Sequence, residues 1–366
     1  MKRVLFILHL PPPHHGASLV GNLIKTNTQI NSTFVTRYIN LSTSDTIEDI
    51  GRTSVRKGIN YLALILRVIN GILVFKPDLC YITPSAKGYG FYKDVIIIAI
   101  IKFFRVKRIF HYHNKGIIER HNRLPDNLLY KFSFRNASVI MLSKLLYQEV
   151  ERYVPESHVF YCPNGIPDLL NDLHEPSFKN SGSPVEVLFL SHLMRSKGML
   201  VLIEACAILK ARDTNFHCTI AGGDAEMKQK EVEEIVRLRE LTDLISFTGP
   251  VYGEKKVVLM KSADILAHPS FNDCYPLVLL EAMSLSLPII STFEGAIPEI
   301  VDTGITGFLV PSKDPKSLAD KLEILIKDPE LRDKMGAAGR EKFEREFTLD
   351  RFEKRLAEIL DFAAND

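Results

Sequence analysis

The run PSFNDCYPLVLLE, residues 269–281, holds the two carboxylates best placed for chemistry, Asp273 and Glu281. A short apolar stretch at 265–268 precedes it and reads as a strand. Asp273 then falls in a loop rich in turn formers, and Glu281 on a helix that begins near Pro276. A loop running into a helix N-terminus turns backbone amides and the positive end of the helix dipole toward an anion. Glu281 on that helix is suited to accept hydrogen bonds from the paired hydroxyls of a ribose. An ordinary loop with an exposed Asp and a surface Glu is the plainer reading. A second cluster is LSHLMRSKG, 190–198, again a strand end leading into a helix, with His192, Arg195 and Lys197. Its plainer reading is a basic helix cap. The third, His111-Tyr112-His113-Asn114, ends another strand, and alternation sets His111 and His113 on one face. They read as a zinc pair, as core or turn histidines, or as a contact to substrate. No Cys or carboxylate at metal-ligand spacing accompanies them.

These clusters need elements to hold them, and the chain supplies short apolar runs alternating with longer amphipathic ones. Strands are predicted at 4–9, 79–83, 108–113, 138–142 and 158–162, and again at 186–191, 217–221, 245–248, 265–268 and 288–291. Helices between them include 18–27, 54–75, 92–104, 199–212, 226–241, 255–262, 277–284 and 315–327. Strand and helix in alternation, twice over, predict two doubly wound α/β domains with parallel sheets facing across a cleft, and ligand sites at the carboxyl ends of the strands. The turn-rich stretch 163–184 predicts a linker, leaving a first domain over 1–168 and a second over 185–346. A helix at 349–363 follows another at 329–346 with no strand between, and is expected to cross back onto the first domain.

The apolar content of 46% and charged content of 25% are those of an ordinary globular chain, and 366 residues favour two cores over one. The five cysteines are scattered, never C-x-x-C, which argues against a disulfide framework or zinc knuckle and for a reducing cytoplasm. The apolar start, 4–10, is short and reads as a buried strand, not a leader. Two later apolar stretches, 61–75 and 95–104, are broken by Arg67, Asn70 and Lys102, and read as too short to span a bilayer. They are expected to be core helices or interfacial membrane helices. The net charge of +2 conceals an asymmetry: residues 1–170 carry 22 Lys+Arg against 11 Asp+Glu, and residues 171–366 carry 24 against 33. A basic half can rest on an anionic membrane or guide an anionic substrate; opposite charges can also simply help two lobes pack.

Taken whole, 269–281 with the following Ala282 and Met283 resembles the signature of the large retaining glycosyltransferase family that contains sucrose synthases and many bacterial lipopolysaccharide and capsule transferases. That family places Glu where Asp273 stands, and Gly where Cys274 and Pro276 stand. Pro276 has no N–H, so one amide contact usual in the family cannot form. Lys197-Gly198 resembles the family's Lys-Gly beside the donor pyrophosphate, where a flexible ammonium suits a phosphate leaving group. His192 replaces the family's Arg, with Arg195 nearby. Residues 221–224 (AGGD, with Gly222), 247–251 (FTGPV, with Val251), 294–299 and 304–310 resemble the family's later turns, so that the likeness covers nearly all of 186–345. In the first half it is thinner. The loop PPPHHGAS, 11–18, has Gly16 where two glycines are usual, with His14 and His15 as candidate contacts, and His113 stands where the family has a His touching the donor sugar.

The resemblance implies the GT-B fold and retention of anomeric configuration. It implies catalytic roles for His113, Lys197 and Asp273, and donor contacts from Gly16, His192, Arg195, Gly222, Val251, Cys274, Tyr275, Leu277 and Glu281. The expected partners are a nucleotide-sugar donor, a glycan or lipid-linked acceptor and an anionic membrane surface, with no nucleic acid. No cofactor is expected, and with no D-x-D in the sequence no metal either. The expected location is the cytoplasm or the inner face of its membrane. Rival readings are a nucleotide-sugar 2-epimerase of the same architecture and a non-catalytic sugar-nucleotide-binding protein. A dehydrogenase is disfavoured because no G-x-G-x-x-G follows the first strand.

Overall fold

The computed structural model describes residues 1–12, 16–42, 55–170 and 183–365. His14 and His15, most of the predicted linker and the start of the helix predicted at 54 lie outside the described residues. The chain divides into two compact units. Unit 1 is Met1–Asn164 with Asp350–Asp366, and unit 2 is Gly165–Leu349.

Unit 1 runs β1 (Arg3–Leu8), α1 (Gly16–Thr26), α2 (Thr28–Thr33), β2 (Val35–Asn40), α3 (Val55–Phe75), β3 (Leu79–Ile82), α4 (Gly88–Phe103), β4 (Lys107–His111), α5 (Leu124–Phe134), β5 (Ser138–Met141) and β6 (Val159–Tyr161). Its six strands form a parallel sheet in the order β2-β1-β3-β4-β5-β6. Val4 to Leu8 and all of β3 are buried, as strands covered on both faces require. Order reverses between β1 and β3, so the crevice of this unit opens at their carboxyl ends.

Unit 2 runs β7 (Val185–Leu190), α6 (Met199–Ala211), β8 (Phe216–Ala221), α7 (Gln229–Leu238), β9 (Ile245–Gly249), α8 (Gly253–Ser262), β10 (Ile265–Ala267), α9 (Leu277–Ser284), β11 (Ile289–Thr292), α10 (Ile297–Ile300), β12 (Gly307–Val310), α11 (Pro315–Lys327) and α12 (Pro329–Glu346). Its sheet is again six parallel strands, in the order β12-β11-β10-β7-β8-β9. From β7 the chain steps outward to β9, returns to β10 on the other side of β7 and steps outward again. The reversal falls between β7 and β10. Val187, Phe189, Leu202, Ile203 and Ile220 lie in its core. Two Asp-Pro pairs start the last helices of the unit: Asp314 accepts from Ser317 N at 3.0 Å and Asp328 from Leu331 N at 2.9 Å, with Pro315 and Pro329 preset for the first turn.

The last helix, α13 (Leu349–Asn365), belongs to unit 1. Phe352, Leu356 and Leu360 are buried, and the rings of Phe362 and Phe160 lie 5.6 Å apart. Where the chain enters and leaves unit 2 it pairs with itself: Ile166 N donates to Phe347 O at 3.0 Å and Leu349 N to Ile166 O at 2.8 Å.

The two parallel sheets agree with the sequence reading, and three details correct it. Two strands were not anticipated. β2, VTRYIN, is a largely half-exposed edge strand with little apolar signal, and β12, GFLV, was read only as a turn. The histidine strand β4 ends at His111, so His113 lies in the turn beyond it. And α3 is more apolar than its polar interruptions suggested: Arg56–Phe75 gives 20 residues with a mean hydropathy of 1.8, long and apolar enough to cross a membrane by composition. Arg67 and Asn70 did not break it because they point outward from a helix that continues past both.

Candidate active site

Unit 2 gathers its chemistry at the reversal between β7 and β10. The loop after β7 carries Lys197, and the loop after β10 carries Asp273. Lys197 Nζ lies 2.6 Å from Asp273 Oδ2, with little of either side chain exposed. His268, buried just past β10, places Nε2 3.0 Å from the same oxygen. Burial alone pushes the Asp273 carboxyl up. The His268 hydrogen bond and the Lys197 charge outweigh it and hold the group well below the usual carboxylate range. Asp273 is therefore a carboxylate that fixes an ammonium at the mouth of a parallel sheet.

Backbone contacts lock the two loops together. Phe271 N donates to Ser196 O at 2.9 Å and Ser270 Oγ to the same oxygen at 3.2 Å. Gly198 caps α6 with φ +81°, and a Cβ there would lie 2.0 Å from Pro269 O. Only glycine lets these backbones approach so closely. Gly222 does the same after β8, where a Cβ would meet Ser191 O at 1.8 Å. The loop after β11 closes the other side: Ala296 N donates to Cys274 O at 3.0 Å, and Asp273 N to Glu294 Oε1 at 3.3 Å.

Glu281 lies one turn into α9, and Lys256 of α8 holds its Oε1 at 2.5 Å. Cys274 and Tyr275 are buried, and Leu277 is the first residue of α9, whose cap, Pro276, contributes no N–H. His192 is half-buried beside Gly223, and Val251 is half-buried after β9. Arg195 is exposed and turned to Glu226, its Nε 3.6 Å from Oε1. Lys197, Asp273 and their loop partners thus form one joined cluster, while Arg195 points to a separate acid.

Gly16 and His113 belong to unit 1. Gly16 opens α1 in open space, and the close approach in that region is made instead by Gly21, whose Cβ would stand 2.0 Å from His9 O. The rings of His113 and His111 lie 4.2 Å apart, and His111 Nδ1 lies 2.6 Å from the Tyr81 hydroxyl. Burial first, and His113 second, drive His111 well below the ordinary imidazole range, so it is neutral. Asn114 ties two carboxyl-end loops together by accepting from Ala86 N at 2.6 Å. Among the described residues no three His, Cys, Asp or Glu side chains converge as a metal cluster would require.

The sequence reading missed His268 and Lys256 as site residues. His268 was visible as the polar residue ending an apolar strand immediately before Pro-Ser. Lys256, an ordinary lysine on a surface helix, gave no signal.

Residues 172–342 match the family model for Glycosyl transferases group 1. The D-inositol 3-phosphate glycosyltransferase of Corynebacterium jeikeium is 36% identical over 153 residues, 40% of this chain and 36% of that protein. The amylovoran biosynthesis glycosyltransferase AmsK of Erwinia amylovora is 32% identical over 185 residues, 49% of this chain and 45% of that protein. The matches thus span half or less of the length of these curated relatives. Over the whole fold, Anabaena HepE, crystallised with UDP, superposes with a TM-score of 0.77 at 18% identity, covering 99% of this chain and 100% of HepE. Over residues 172–342 the chain therefore carries a domain of the glycosyl transferases group 1 family, set in a GT-B fold.

Proposed function

We propose that the protein transfers a sugar from a nucleotide-sugar donor to an acceptor hydroxyl with retention at the anomeric carbon, without a metal, in the assembly of a cell-surface glycan. The observation that carries this reading is Lys197, held by Asp273, which His268 in turn holds, at the reversal point of unit 2. HepE binds UDP, and AmsK is named for a polysaccharide, which supports both donor class and setting. As the bond from the anomeric carbon to the phosphate oxygen breaks, negative charge grows on the leaving nucleoside diphosphate. Lys197 Nζ and the first-turn amides of α6 meet that charge. The acceptor oxygen bonds to the anomeric carbon on the face the phosphate leaves, and its proton passes to the departing phosphate oxygen. Asp273 orients hydroxyls of the donor sugar, and Glu281 takes the ribose hydroxyls. The deciding experiment is a thermal-shift panel of nucleotide sugars followed by an NMR assay of acceptor and product. Retained anomeric configuration in a glycosylated acceptor is the expected result. An epimerised nucleotide sugar formed without acceptor, or stabilisation with neither transfer nor donor hydrolysis, would overturn it.

Activity is expected to persist in excess chelator, because Lys197 supplies the charge a divalent ion otherwise would. Loss in chelator, restored by a divalent ion, counts against the mechanism.

Glu281→Gln is expected to weaken nucleotide binding by one to two decades, since charge-assisted hydrogen bonds contribute about 1.5–3 kcal/mol. Asp273→Asn is expected to lower the single-turnover rate more than affinity, because misplacing the reacting carbon costs rate. Calorimetry beside rapid-quench kinetics separates the two. The opposite pattern would exchange the roles.

A further inference from the structure

Three neighbouring helices of unit 1 are apolar on the side facing away from their sheet. α3, α4 and α5 lead from β2 to β3, β3 to β4 and β4 to β5, successive steps in one direction, and right-handed crossovers put them on one face. α3 packs on α4 and α4 on α5. Their inner sides are buried, with Leu64, Val68 and Ile72 of α3 and Ile97, Ile98 and Ile101 of α4 in the core. Yet Ile59, Leu62, Leu66 and Leu73 of α3 are all exposed. At 100° per residue this spacing keeps them within about 60° of arc. α4 repeats the same spacing with Tyr89, Tyr92, Ile96 and Phe103, the last 81% exposed, and α5 adds Leu124 and Leu128.

The charges on these helices have one outward sign. α3, α4 and α5 carry Arg56, Lys57, Arg67, Lys93, Lys102 and Lys131. Their acids are Asp94 and Asp126, and both are buried. Lys102 Nζ lies 4.0 Å over the ring of exposed Phe132, so cation and apolar surface are interleaved. Aliphatic and aromatic side chains among cations, with no outward acid, complement the boundary between anionic headgroups and acyl chains. A contiguous apolar surface of this kind is unusual on a monomer facing only water.

We propose that the outer face of α3, α4 and α5 docks on an anionic lipid surface, lying along it. α3 does not span, because β2 and β3, which it joins, both pair parallel with β1, and its inner side is fixed to that sheet. The docking is independent of the transfer chemistry assigned to unit 2.

The test is flotation of the full chain with vesicles of mixed phosphatidylglycerol and phosphatidylcholine, beside vesicles of phosphatidylcholine alone. The wild type is expected to float with the anionic vesicles, less so in high salt, and far less with the neutral ones. The triple variant Leu62→Glu/Leu66→Glu/Ile96→Glu is expected to lower partitioning at least about tenfold. Its circular dichroism is expected to match the wild type, since all the altered side chains are exposed. Arg67→Glu/Lys131→Glu leaves the apolar stripe intact and is expected to lose binding to anionic vesicles selectively. Wild type remaining with the soluble fraction, or the triple variant floating equally well, would overturn the proposal. So would a wild-type dimer in sedimentation velocity that ignores vesicles and becomes monomeric in the triple variant, because a second copy would then be the occupant.

Discussion

Lys197→Ala is expected to lower the single-turnover rate of transfer by about 10²–10³-fold, the usual cost of removing one preorganised donor from a developing anion. The size of the effect follows from how the ammonium is held. Its Nζ is fixed at 2.6 Å by a carboxylate that is itself held by His268, so no reorganisation is needed when charge appears on the phosphate. The variant also leaves Asp273 largely buried with His268 still beside it, and its carboxyl moves back up from its depressed value. Breaking such a pair from one side destabilises a fold by more than the pair contributes. Stability and rate must therefore be read separately. Lys197→Met/Asp273→Asn removes the orphaned charge, and is expected to recover thermal stability lost by Lys197→Ala while recovering no activity. A folded Lys197→Ala protein with near-normal turnover would remove this lysine from the chemistry.

Gly198→Ala is expected to destabilise unit 2 by about 2–4 kcal/mol, combining a strained backbone with an overpacked contact. A Cβ at this position meets the carbonyl oxygen and carbon of Pro269 at 2.0 and 2.5 Å, and backbone atoms have no rotamer by which to withdraw. Gly304 offers an internal control. It has the same φ of +81°, but nothing lies within 4 Å of its Cβ position. Gly304→Ala should therefore report the cost of the backbone conformation alone, and the difference between the two variants the cost of the contact. Denaturant unfolding of both measures it. Equal losses would mean that the approach of the two loops is looser than the geometry implies. Gly198→Ala should further lose transfer, because separating Gly198 from Pro269 moves Lys197 away from Asp273.

The alternation of strand and helix was legible in the sequence because parallel strands are covered on both faces and read as apolar runs, as in LCYI of β3, buried throughout. β2 escaped for the converse reason: an edge strand needs little apolar character, and VTRYIN has neither an apolar run nor a regular alternation. Strand ends were read one residue late at β3 and two late at β4; Thr83 N and Tyr112 N, one residue past each strand, still donate across the sheet to Ile7 O and Ile140 O. Lys197 and Asp273 could each be picked out by local context and resemblance. That they grip each other could not, because the contact joins residues 76 positions apart and depends on the order of strands in the sheet. The Glu281–Lys256 pair was invisible for the same reason. Strand order is set by long-range pairing, which short-range periodicity does not encode.

The division of the chain into one continuous and one interrupted unit bears on how the protein is made. Every residue of unit 2, Gly165–Leu349, is translated before the helix that finishes unit 1. Domains tend to fold as they emerge, from the N-terminal end first. Here the first sheet emerges early but lacks α13, and with it Phe352, Leu356 and Leu360. Unit 1 can therefore close its core only after all of unit 2 has been made, and until then the apolar surface that α13 covers stays open. A released chain truncated after Leu349 should present a protease-resistant second unit joined to a first unit that is readily cut.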